Sequence, residues 1–291
     1  MKKLSYLLIL ASSMNALSQS LHPMEPSKNH YAVLEKLNSE IASTHHELDS
    51  IRFPASSYHP VSLLYIMATP QYLKTPHIEE LKTSIQFPAN SSEQTRAELD
   101  FLLEWQTRRT KEQEVRASEI LAPIGYWPHL SIKKDHENYS SNMNDLFFEG
   151  RTVMGDDCTY ENYPATAKLL SGVTTDMRIM EFTVKYHLLR ARPYALEPKL
   201  KPLAIMSSPS FASGHTLWAY IQAYIWSELI PRKREEFLKV AYEIGESREI
   251  MGIHYPSDEE AARILAHDML SAMWGDSKFI SDLDAAKREW K

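Results

Sequence analysis

Residues 210–230 read SFASGHTLWAYIQAYIWSELI: a small polar turn carrying His215, then a run that is apolar almost all round. A helix without a polar face must be buried, in a core or in a membrane. Pro231 stops this one short of the roughly 20 apolar residues that a bilayer crossing requires, so it reads as the central helix of a protein core. From Tyr163 to Trp290 apolar residues recur at helical intervals, and alternating β-branched runs are few. With only 8 glycines in 291 residues, the pattern predicts an all-α fold, a helical bundle around that central helix.

An apolar content of 43% is ample for such a core. The formal charge of -6 is spread without long single-sign blocks, which argues against a nucleic-acid scaffold role. The first residues, MKKLSYLLILASSMNALS, place two lysines before the apolar run Leu7 to Ala11 and end on Ala16-Leu17-Ser18. That three-part layout predicts an export signal over residues 1–18, cleaved after Ser18, and a periplasmic or secreted protein. No transmembrane segment of adequate length is expected in the remainder. Cys158 stands alone, so no internal disulfide can close, and it reads as a small buried residue.

Residues 19–94 form an N-terminal extension to which no chemistry can be assigned, with a helix-like stretch around Tyr31 to Ser50. Residues 95–291 form the helical domain. Glu93 to Leu121 predicts one or two amphipathic helices, and Gly125 to Asp157 a loop with short helical pieces. The sequons at Asn90 and Asn138 are short matches of little weight. Asp156-Asp157 and His45-His46 are too short to define a metal site and read as surface residues, so no metal is expected.

Three segments carry chemistry. In KYHLLRARP, Lys185 and Arg192 are seven residues apart, which on a continuous helix puts both cations on nearly one face. Pro193 disfavours helix for its predecessor and places Arg192 at the helix end, where two cations suit an anion or a solvated basic face. In SGHT, Ser213 and Gly214 precede the central helix, whose unpaired N–H groups make an anion site beside His215. In SREIMGIHYPSDEEAAR, Phe237, Val240, Ala241 and Ile244 form an apolar stripe that Arg248 continues, so Arg248 needs a buried carboxylate or a bound oxyanion. Gly252 is expected to end that helix, and Ser257 with Glu260 to cap the next. His254 stands four residues before Asp258, a spacing that lets the carboxylate take one imidazole N–H and leave the other nitrogen its lone pair. A purely structural His-Asp pair fits that spacing equally well.

Together the segments ask for one tetrahedral oxyanion among Lys185, Arg192, Arg248 and a helix N-terminus, flanked by two histidines. The combined pattern, Lys-x6-Arg-Pro, Ser-Gly-His and Ser-Arg-x5-His-x3-Asp, resembles the type 2 phosphatidic acid phosphatase superfamily, which includes the vanadium haloperoxidases. Within it the likeness is greatest to secreted bacterial class A non-specific acid phosphatases. The resemblance covers the region from about Thr95 onward and implies the helical bundle of the acid phosphatase and vanadium-dependent haloperoxidase type. By motif position it implies His254 as a nucleophile forming a phosphohistidine, Asp258 as the group orienting it, and His215 as the acid for the leaving alkoxide. Lys185, Arg192, Ser213, the Gly214 N–H and Arg248 would hold the phosphoryl oxygens, without a metal. One departure is Ala212, where the family usually has proline before Ser-Gly-His.

The expected activity is a secreted, metal-independent acid phosphatase acting on small-molecule phosphate monoesters, needing no cofactor and inhibited by vanadate, with a homodimer possible by analogy. A lipid or polyprenyl-diphosphate phosphatase, a haloperoxidase and a non-catalytic phosphate-binding envelope protein remain as alternatives. Loops at Leu130 to Asn162 and Tyr194 to Pro209 are expected to select the substrate.

Overall fold

The computed structural model describes residues 25–40, 45–125, 135 and 137–291. The proposed export signal therefore lies outside the described residues. The fold is helical, and the β structure among the described residues is one isolated bridge between Arg52 and Arg190. Where a helix was expected around Tyr31 to Ser50, the described residues form two short 3-10 turns, Leu34–Lys36 and His46–Ser50.

The first helices are α1 (Pro60–Ile66), α2 (Thr75–Ser84), α3 (Glu93–Arg108) and α4 (Lys111–Val115). A π-helical turn, Arg116–Leu121, continues α4. The amphipathic stretch thus splits in two, and Thr110 with Gln113 forms a capping box at the break. Next come α5 (Tyr139–Leu146), α6 (Phe148–Met154), α7 (Pro164–Leu188), the single turn α8 (Pro193–Leu196) and α9 (Gly214–Leu229). Helices α10 (Arg234–Ile250), α11 (Pro256–Met273) and α12 (Ser277–Arg288) complete the bundle.

Helix α9 is the core element its sequence predicts. Leu217, Ile221, Ala223, Tyr224 and Ile225 are each 0% exposed. It packs against α7, α10 and α11, and Trp226 stacks on Phe237 of α10 with ring centroids 5.6 Å apart. The α10 stripe of Phe237, Val240, Ala241 and Ile244 is buried as expected, with Arg248 at its end. Gly252 has φ +70, a conformation that favours glycine, and it follows the last turn of α10.

Two local expectations need correction. Helix α7 ends at Leu188, with Leu189 left-handed at φ 55, so Lys185 and Arg192 do not share a helix face. They converge because the chain reverses after Leu189 and Arg192 becomes the N-cap residue of α8. Helix α11 starts at Pro256 rather than after Ser257, because Pro256 fits the first helical position. Asp258 then caps it by accepting the Tyr255 N–H, and the Ser257 hydroxyl donates to Glu98 on α3 at 2.8 Å.

The N-terminal segment is tied to the bundle by main-chain contacts. Arg263 donates to the Ser27 carbonyl at 2.6 Å and Arg234 to the Glu25 carbonyl at 2.7 Å. Further on, the buried carboxylate of Asp176 on α7 accepts the N–H groups of Tyr72 and Leu73 at 2.8 and 2.7 Å. Asn90 is 4% exposed and donates to the carbonyls of Leu48 and Ile51, so its sequon is folded inside.

Candidate active site

Lys185, Arg192, Gly214, His215 and His254 meet at one cavity of about 320 Å³. Helix α7 also contributes Arg178, Glu181 and Phe182, the loop before α9 contributes Met206 to Ser208, and α1 with the residue before it covers the mouth through His59, Val61, Ser62 and Tyr65. Of the two loops expected to shape the pocket, Tyr194 to Pro209 therefore does so.

His254 is fixed at both nitrogens. Its Nδ1 lies 2.9 Å from Asp258 Oδ2, and its Nε2 lies 2.9 Å from Arg192 Nη1. An ionised carboxylate only accepts and a guanidinium only donates, so Nδ1 carries the proton and Nε2 the lone pair. Burial, and then the charge of Arg192, hold the imidazole well below its ordinary pKa. His254 is therefore a neutral imidazole with its Nε2 lone pair turned toward the Arg192 guanidinium, a form in which an imidazole can attack an electrophile.

Asp258 is 0% exposed. Its Oδ2 also accepts from Ser210 Oγ at 2.5 Å, and its Oδ1 accepts from Arg190 Nη1 at 2.7 Å. Burial alone would raise this carboxyl, but Arg190, with the donors on His254 and Ser210, holds it well below the usual carboxylate range.

Lys185 and Arg192 are held chiefly by main-chain oxygens. Lys185 Nζ donates to the carbonyls of Pro209 at 2.8 Å and Ser210 at 3.1 Å. Burial, then Arg192, lower this lysine to about 7. Arg192 donates through Nε to the Ser208 carbonyl at 2.9 Å and through Nη1 to the Ile253 carbonyl at 2.8 Å. Carbonyls position these groups without cancelling their charge, which suits an anion in the cavity.

At the opposite wall, Gly214 opens α9. A Cβ there would overlap the Glu181 carboxylate, so the α7–α9 approach requires glycine. His215 donates from Nε2 to the Ala122 carbonyl at 2.9 Å, so protonation adds the second proton at Nδ1. Burial, then Arg248, hold it well below the ordinary histidine value.

Ser213 and Arg248 stand one layer behind the cavity wall. The Ser213 hydroxyl caps α9 by accepting the Thr216 N–H, and its N–H donates to the Asp258 carbonyl at 3.1 Å. Arg248 donates through Nη2 to the Ala117 carbonyl at 3.0 Å and to Ser247 Oγ at 2.8 Å. Ala212, at the departure from the family pattern, is 3% exposed, and the Phe211–Ala212 peptide is cis.

The sequence reading missed Arg190 and Glu98. Arg190 is 0% exposed, stacks 3.8 Å over the Tyr255 ring, and links Asp258, Ser257 and Glu98. A usable signal existed for Glu98, which shares the i, i+4, i+7 stripe with Leu102 and Trp105 and so falls on the buried face of α3. For Arg190 the signal was its setting between Leu189 and Ala191, which is unlike a solvated basic face. Outside the site, Asp156, Asp157, His45 and His46 are exposed as expected. Among the described residues no group of three or more His, Cys, Asp or Glu is placed to hold a metal ion, and no helix is long and apolar enough to cross a membrane.

The "Non-specific acid phosphatase" of Providencia stuartii is 29% identical over 168 residues, covering 54% of this chain and 64% of that protein. The "Acid phosphatase" of Zymomonas mobilis is 36% identical over 80 residues, covering 28% of this chain and 30% of that protein. The chain thus spans just under two thirds of the length of the first relative. Among solved structures, a bacterial vanadium-dependent iodoperoxidase superposes with a TM-score of 0.52 at 15% identity, over 85% of this chain and 64% of its own, a likeness of fold. Residues 164–278 match the model of the PAP2 superfamily, and every motif residue from Lys185 to Asp258 falls within them.

Proposed function

We propose that the chain is an exported acid phosphatase that hydrolyses small-molecule phosphate monoesters through a phosphohistidine, with no metal and no cofactor. The observation that carries this reading is the line Asp258, His254, Arg192, which ends in a cavity also bounded by Lys185, Gly214 and His215. Binding alone would need the cations and the N–H groups; a histidine locked in the nucleophilic tautomer serves a reaction.

In this reading Lys185, Arg192 and the Gly214 N–H take the non-bridging oxygens, with Ser213 and Arg248 supporting them from behind. His254 Nε2 attacks phosphorus in line with the departing oxygen, and Asp258 stabilises the positive charge that builds on the imidazole. His215 gives the Nδ1 proton to the leaving alkoxide. It then accepts a proton from the water that cleaves the P–N bond, which returns free phosphate and neutral His254. Vanadate, a tetrahedral oxyanion with the same needs, inhibits.

The acid preference follows from the two histidines. The lowered pKa of His254 keeps it unprotonated into the acid range, whereas His215 must be protonated to donate. The productive pairing therefore declines as pH rises, and a phosphoryl group beside His215 extends its protonated range upward. Residues 1–18 supply the export part of the reading.

Hydrolysis of p-nitrophenyl phosphate, followed from acid to mildly alkaline pH with and without EDTA, tests the proposal. EDTA-resistant turnover that peaks in acid and disappears in His254→Ala is expected. Turnover that rises monotonically into the alkaline range, or that EDTA abolishes, refutes it.

A further inference from the structure

The α7 wall carries a second charged pair that the phosphate chemistry does not use. Arg178 and Glu181 are 8% and 6% exposed, are joined Nη1 to Oε2 at 2.5 Å, and both line the cavity. Arg178 lies seven residues before Lys185 on one continuous helix, roughly 10 Å along its axis, so it stands two turns from the phosphate-binding lysine. Its Nε is buried and has no hydrogen-bond partner among the described residues. A buried guanidinium N–H without an acceptor is costly unless a ligand supplies one.

The pair lines the cavity beside His215 and Gly214. Arg178 lines the same cavity as His215, the proposed acid. Glu181 packs against Gly214, the residue before that histidine. An acceptor for Arg178 Nε must therefore belong to the alcohol portion of the ester. It is not a second anion, because Glu181 lies against the same guanidinium and would repel one. A hydroxyl fits: it accepts from Arg178 Nε–H and donates to the carboxylate. Tyr65 and Phe182, stacked with centroids 5.4 Å apart, give the carbon skeleton an apolar wall beside it.

We infer that Arg178 and Glu181 form a subsite for a free hydroxyl near the ester oxygen, so that polyol phosphates are preferred over simple alkyl phosphates. This inference rests on the phosphatase reading and names its substrate class.

The test compares kcat/KM for rac-glycerol 1-phosphate and n-propyl phosphate, which share a three-carbon skeleton, in the parent chain and in the paired variant Arg178→Met, Glu181→Leu. Replacing both partners leaves no lone buried charge. Taking the ratio within each protein, and comparing ratios, cancels the intrinsic reactivity of the esters. The glycerol-to-propyl ratio is expected to fall about ten-fold in the variant. An unchanged ratio overturns the subsite while the phosphatase reading stands. Should circular dichroism show the paired variant unfolded, Glu181→Gln keeps the shape and removes the anionic acceptor; the ratio then falls about three-fold, and an unchanged ratio again overturns the subsite. A folded parent that hydrolyses neither ester overturns the phosphatase reading and the subsite with it.

Discussion

At and beneath the floor of the pocket His254, Asp258 and Arg190 are 3%, 0% and 0% exposed, whereas at the mouth Val61 is 45% exposed. The floor is a set of charged groups that hold one another. Asp258 is gripped by Arg190, Ser210 and His254, and Arg190 in turn by Glu98. Such a network has one low-energy arrangement, because removing any member leaves a buried charge uncompensated. The mouth mixes Val61, Tyr65 and Met206 with His59 and three serines, from α1, the residue before it and the loop before α9, and its apolar contacts are non-directional and tolerate exchange. The floor admits few alternatives because each costs several kcal/mol, whereas at the mouth exchanges cost little.

This contrast can be broken by substitution. His254→Ala removes the proposed nucleophile and should lower kcat by about 10³-fold or more on every ester, measured with p-nitrophenyl phosphate under saturating conditions. His215→Asn should cost about 10²-fold on an alkyl ester yet far less on p-nitrophenyl phosphate, whose leaving group needs no proton. A uniform loss on both esters would remove His215 from the acid role. Arg190→Lys keeps the charge and loses the fork, and a fall of about ten-fold in kcat is expected. Its acid limb should also move to higher pH, because Asp258 is held ionised chiefly by that guanidinium against burial. At the mouth, Tyr65→Ala should change KM by about three-fold with kcat nearly kept, as suits a wall that packs against the leaving group.

The smallest effect concerns stability. Burial raises Glu149 and Glu259 each to about 8. These groups hold protons in the folded state that the unfolded chain releases above its ordinary carboxyl value. Their contribution is complete below that value and is lost as pH rises through about 8. Two histidines oppose this below pH 6.5, since His215 and His254 are lowered from that value, and Lys185, lowered to about 7, opposes it above about 7. The thermal midpoint should therefore fall from near neutral pH toward 8. Glu259→Gln should flatten that slope by up to about 1.4 kcal/mol per pH unit, read from melts in a pH series.

The floor was legible in sequence where its contacts are local. His254 and Asp258 are four residues apart, and the Ser213–Gly214–His215 triplet is contiguous at a helix start, so spacing singled them out and the family resemblance of the combined pattern gave them roles. Helix α9 and the α10 stripe were legible because burial writes itself as periodicity. Arg190 and Glu98 were not paired by sequence, because 92 positions separate them and only the packing of α3 against the chain reversal after Leu189 joins them. The loop before α9 was expected at the pocket, but the α1 side of the mouth had no local signature. His59 to Tyr65 reach the cavity from a segment read as an extension without chemistry, and nothing in their spacing indicates what they face. Where the sequence reading erred, backbone geometry decided: the left-handed Leu189 ended α7 early, and Pro256 moved the start of α11 forward.

Cys158 is 2% exposed beside Trp226 and Gly150, and burial pushes its thiol up to about 12. Alkylating reagents act on the thiolate, so in the folded chain this sulfur is silent and reacts only when the surrounding helices part. The chain holds no other cysteine, which makes the labelling rate a clock for one cooperative opening event. The same solitude means that a chain refolding from denaturant has no wrong disulfide to make within itself.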